Sequence, residues 1–148
     1  MAIYISFSSP VNADSTLLEP LSFGTIVVIN NDSVGSITIE PDGDITLTGP
    51  TLILNPGQPA LVRFSNLSPY TKLNITANVV QATTSLVNGV SEQFTLSNIT
   101  TLPSVTTDAL GTAIVSVGGT IETSGIGVGA GDYLDTTYTA TFRVTINF

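Results

Sequence analysis

The chain has 148 residues, 42% of them hydrophobic and only 9% charged, and its 11 acidic against 3 basic side chains leave a net charge of -8. That length supports one hydrophobic core rather than two, and an acidic surface repels a nucleic-acid backbone or an anionic membrane. With no His and no Cys, histidine triads, thiol nucleophiles, zinc fingers and Cys-ligated clusters are excluded. No cationic leader with a long apolar run opens the chain, and no apolar stretch reaches the ~20 residues that a bilayer crossing needs. The sequence therefore reads as soluble, with neither nucleic acid nor direct membrane insertion expected.

Composition points to strands. There are 23 threonines and many aliphatic residues, and β-branched side chains lose least freedom on a pleated surface. At the N-terminus Ile3, Ile5 and Phe7 share one parity and Tyr4, Ser6 and Ser8 the other, before Pro10 and a polar stretch through Asp14 and Ser15. Residues 1–15 thus read as a strand and connector, ahead of a domain over residues 16–148. The strand has two possible places: its own molecule's sheet, or the incomplete sheet of a neighbouring copy. Burying Ile3, Ile5 and Phe7 in a neighbour contributes roughly 5–9 kcal/mol before entropy losses, at about 1.5–3 kcal/mol each. One-to-next exchange has no built-in stopping point and generates an open filament.

Further along, Ile37 and Ile39, then Ile45 and Leu47, flank Glu40-Pro41-Asp42-Gly43-Asp44, which predicts a hairpin. Asn55-Pro56-Gly57-Gln58-Pro59 is a break, followed by Ala60, Val62 and Phe64 on one parity. Leu73, Ile75, Ala77 and Val79 alternate with Asn74, Thr76 and Asn78. Strands are also predicted near Glu92–Leu96 and over Thr112–Ile121, the latter interrupted by Gly118-Gly119. The segments Gln81–Gly89, Thr100–Leu110 and Ser124–Gly131 read as loops. The clearest alternation closes the chain, with Tyr138, Ala140, Phe142, Val144, Ile146 and Phe148 on one face. No capped segment with a sustained helical period occurs. The expected fold is an all-β, immunoglobulin-like sandwich of about seven to nine strands, completed in a filament by an intermolecular donor strand.

Several short motifs occur in a telling order. Leu21-Ser22-Phe23-Gly24-Thr25-Ile26 is followed by Gly35-Ser36-Ile37-Thr38-Ile39 and Pro41-Asp42-Gly43. Next come Ala60, Phe64, Leu67, Tyr70 and Ile75, then Val117-Gly118-Gly119-Thr120, Gly131-Asp132-Tyr133 and the closing Thr141–Phe148 strand. From Leu21 to Phe148 this resembles the DUF4402 family of bacterial surface proteins. The chain departs from that pattern after Tyr133, where Leu134-Asp135-Thr136 stands in place of an early glycine, and at Phe148, where the family ends on Tyr. The resemblance implies a pilin-like immunoglobulin domain exported to the cell surface and no catalytic residue.

The remaining candidates have ordinary explanations. Asp42, Asp44, Asp132 and Asp135 offer oxygens suited to calcium, yet they lack the EF-hand spacing, and Asp-Gly turns account for the first two. Lys72, Arg63 and Arg143 lie opposite their apolar neighbours in parity and are expected in solvent, which removes Lys72 as a buried amide-forming nucleophile. Asn31, Asn66, Asn74 and Asn98 begin N-x-S/T acceptor patterns of the kind a Ser- and Thr-rich chain contains by chance. Phe23, Phe64 and Phe142 are expected in the core, while Tyr4 faces solvent or a neighbour.

The functional expectation is a non-enzymatic structural subunit of an extracellular pilus or cell-surface filament. It needs no cofactor or metal, and its assembly residues are Ile3, Ile5 and Phe7. Expected partners are other copies of the subunit, with an assembly chaperone or outer-membrane platform. The alternative is a monomeric surface adhesin, a β-sandwich module binding carbohydrate or protein through its loops.

Overall fold

The computed structural model describes residues 2–5, 13–84, 92–126 and 133–148. These contain twelve strands and no helix: β1 (Ala2–Ile5), β2 (Asp14–Glu19), β3 (Thr25–Val28), β4 (Ser36–Ile39), β5 (Ile45–Thr48), β6 (Thr51–Asn55), β7 (Ala60–Ser65), β8 (Lys72–Gln81), β9 (Thr95–Thr101), β10 (Ser104–Thr106), β11 (Ala113–Glu122) and β12 (Thr139–Asn147). One sheet has the order β1-β12-β8-β10. The other runs β2-β7-β11-β4-β5, with β9 also paired to β11, and β3 and β6 form a separate two-stranded ribbon. Among these pairings only β1 with β12 is parallel.

The alternation of the sequence builds the core directly. Ala140, Phe142, Val144 and Ile146 of β12 and Leu73 and Ile75 of β8 are buried from one sheet. Val62 and Phe64 of β7, Val115, Val117 and Ile121 of β11, and Ile37 and Ile39 of β4 are buried from the other. All belong to one apolar cluster, so the chain is a β-sandwich. Phe23, Phe64 and Phe142 lie in that core as expected, at most 3% exposed. Lys72, Arg63 and Arg143 are exposed.

The predicted hairpin is present, with Ile39 opposite Ile45 and Ile37 opposite Leu47. Its turn is closed by Glu40 N–H donating to Asp44 O at 2.8 Å and Gly43 N–H donating to Glu40 O at 2.9 Å. Asp42 Oδ1 accepts from Asp44 N at 3.1 Å, which is the ordinary aspartate-turn role.

Elsewhere the structure corrects the sequence reading. Twelve strands exceed the expected seven to nine because β2, β3, β6 and β10 are short and lack clean two-residue alternation; five of the six β2 residues are exposed. β9 begins later than expected and runs to Thr101, and Thr100–Leu110 holds β10 rather than only loop. Gly118-Gly119 does not interrupt β11. Those glycines let strands approach: a Cβ at Gly118 would lie 2.1 Å from Ile39 O. Phe148 lies past the end of β12 and is 53% exposed, so the apolar face stops at Ile146.

Buried threonines close the loops. Thr107 Oγ1 accepts from Thr71 N and donates to Ser68 O, both at 2.8 Å. Thr84 Oγ1 accepts from Phe94 N at 3.1 Å, and Thr123 Oγ1 accepts from Gly35 N at 2.8 Å. Each hydroxyl satisfies backbone groups that no strand partner reaches.

Candidate functional site

Two neighbouring features stand out, the edge of β12 and a cleft at its start. β1 occupies the edge, with Ala2 opposite Thr139, Ile3 opposite Ala140, Tyr4 opposite Thr141 and Ile5 opposite Phe142. In the single chain the N-terminal strand is therefore paired in cis. Two of the proposed assembly residues, Ile3 and Ile5, stand at register positions of buried β12 residues. The third, Phe7, lies outside the described residues.

The cleft has a volume of about 840 Å³. One wall is β3 and its continuation through Asn31, the other is residues 133–138, and Phe94 and Ile121 also line it. β3 runs along it because the ribbon is two-sided. Ile26, Val28 and Ile53 pack on the core, while Val27, Ile29, Leu52 and Leu54 are exposed by 37–64%. The opposite wall is fixed by three aromatic rings. Phe94 lies 4.5 Å from Tyr133 and 5.0 Å from Tyr138, the latter edge-on at 89°.

Both phenols are committed to the backbone. Tyr133 OH accepts from Ser124 N at 2.9 Å and donates to Gln93 O at 3.3 Å, and burial pushes its pKa above the ordinary value. Tyr138 OH accepts from Leu134 N at 2.8 Å and donates to Leu134 O at 3.1 Å. Asn31 is also engaged, its Nδ2 donating to Ser124 Oγ at 2.7 Å and its Oδ1 accepting from Gly125 N at 2.9 Å. The cleft is thus a slot of mixed polarity with a rigid aromatic wall, and Asp135 is the one carboxylate among its described lining residues.

Other candidates do not converge. Asp132 lies outside the described residues, and among the described residues no group of three potential metal-ligating side chains forms. No described helix is long and apolar enough to cross a membrane. Asn66, Asn74 and Asn98 are exposed. Sequence reasoning missed the cleft altogether. Its signal was the uncharged β-branched run Thr25–Ile29, which follows Gly24.

The family pattern of a domain of unknown function, DUF4402, matches residues 13–148. The chain belongs to this family. The DUF4402 match takes in β2 through β12, including both cleft walls, and leaves β1 outside. No curated protein and no solved structure matches this DUF4402 chain.

Proposed function

We propose that this DUF4402 protein is a structural subunit of an extracellular filament, in which the N-terminal strand of each copy completes a sheet of the next. One observation carries the reading. β1 is a four-residue strand at a sheet edge, outside the region that matches the family, and it holds to the rest through a single parallel ladder. The nine steps from Ile5 to Asp14 span up to roughly 30 Å when extended, well beyond the ~10 Å between packed sheets. The connector is therefore long enough to release β1 toward another copy without disturbing β2.

Pairing in cis works against this at low concentration, because a tethered strand competes at millimolar effective concentration. Assembly then needs a crowded surface or a partner that opens β1, the role of a chaperone or outer-membrane platform. The absence of charge in residues 1–12 removes one barrier between acidic copies. The same cis pairing favours a second reading, a monomeric surface module whose ligand enters the cleft.

Light scattering and electron microscopy on the full chain and on a variant lacking residues 2–7 separate the two. The filament reading expects strings from the full chain and folded, non-extending units from the truncation. Monomers over a wide concentration range, with Ile3 to Phe7 protected from proteolysis, overturn it.

A further inference from the structure

We infer that the acceptor for the exchanged strand is the free edge of β3, not the edge of β12; this rests on the strand-exchange reading and assigns the surface it needs. Exposed sheet edges invite pairing, and proteins blunt them with charges, prolines or shortness. Three other edges here follow that rule. β2 carries Asp14 and Glu19 and is followed by Pro20, β6 lies between Pro50 and Pro56, and β10 is three residues long after Pro103. β3, four residues long, carries neither a charge nor a proline. From Leu21 to Asn31 there is no charged residue and no proline, and Thr25–Ile29 is β-branched throughout.

The backbone of β3 is available on the cleft side. Ile29 N–H donates to Pro50 O at 2.9 Å, toward β6. Backbone groups alternate sides along an antiparallel ladder, so those of Val27 also face β6 and those of Ile26 and Val28 face the cleft. Among the described residues β3 pairs with β6 alone.

Chemistry selects the occupant. The sequence Ile3 to Phe7 supplies three large apolar side chains on one parity to meet the cleft lining of Phe94 and Ile121, and no charge to meet Asp135. A strand embedded in another sandwich cannot enter between β3 and residues 133–138, whereas an edge strand on a long connector can. In the described chain β1 lies on β12 rather than in the cleft, and the occupant assigned to the cleft is the β1 strand of a second copy.

Because the chain has no Cys, paired cysteines report the acceptor without background thiols. Tyr4→Cys is combined with Thr25→Cys or Val27→Cys on β3, with Thr141→Cys on β12, or with the distant exposed Leu110→Cys as a collision control. Each full-length variant is concentrated, oxidised and run on a non-reducing gel. The expected result is a ladder of disulfide-linked multimers in at least one β3 combination, several-fold above the Leu110 control. Multimers through Thr141 alone overturn the β3 assignment and leave strand exchange standing. Only an internal Tyr4–Thr141 bond in a monomer overturns both.

Discussion

Replacing Gly118 with Ala tests the packing that holds β4 against β11. The added Cβ would sit 2.1 Å from Ile39 O, 2.8 Å from Glu40 C and 2.9 Å from Pro41 N, all backbone atoms. A relaxed carbon–oxygen contact is roughly 3.3–3.6 Å, so the strands must separate by about 1 Å. β4 is paired on both sides, to β11 and β5, and cannot yield by rotating a side chain. Overpacking costs about 1–3 kcal/mol, and a backbone clash of this depth belongs at or above the upper end. Loss of glycine freedom in the unfolded chain returns about 0.4–1 kcal/mol. The net expectation is a destabilisation of about 2–3 kcal/mol, which lowers the urea midpoint by roughly 1 M and Tm by roughly 4–12 °C. Gly43→Ala is the control: nothing lies within 4 Å of its Cβ position, and only its φ of 95° opposes the change. A Gly118→Ala midpoint indistinguishable from wild type in urea titration by circular dichroism refutes the close-approach argument.

Thr107→Val keeps the volume but strands Thr71 N–H and Ser68 C=O, with an expected loss of about 1–3 kcal/mol in chemical denaturation; Thr107→Ser recovers most of it. Tyr133 has a folded-state pKa above its ordinary value of 10.0. Its neutral phenol therefore contributes stability fully below pH 10.0, and that contribution is lost as pH rises through the higher folded value. Ultraviolet titration should find it ionising above the ordinary phenol value of 10.0, and Tyr133→Phe should flatten the alkaline fall in Tm. For assembly, Ile5→Asp puts a charge on the inserted parity and abolishes strings in electron micrographs, while Ser6→Asp on the opposite parity is milder. Equal loss at both positions contradicts the inferred face.

Where one side of a strand is buried and the other wet, the sequence was readable: β12, β8, β7 and the β4–β5 hairpin lie on their predicted residues with the predicted faces inward, apart from Phe148 and the exposed Leu47 of β5. Legibility failed where burial is not periodic. β11 is buried at Val117, Gly118 and Gly119 in succession, because glycine lets neighbouring backbones close over both faces, and a two-residue pattern cannot express that. β3 and β6 are aliphatic on both faces, so alternation carried no information there. The cleft joins Thr25–Asn31 to residues 133–138 across the whole chain length, and only the folded topology brings them together. The isoleucines at 3 and 5 were correctly read as strand, but parity alone could not say which copy's sheet they enter.

The buried threonines have a consequence for endurance. Hydroxyls neither titrate between acid and alkali nor exchange with thiols, and their bonds to backbone are short-range and largely indifferent to ionic strength. Loops tied at Thr84, Thr107 and Thr123 hold equally under reductant, oxidant, brine or mild acid, conditions that undo disulfide-stapled or ion-paired domains. Chemical monotony, in this chain, is a form of weatherproofing.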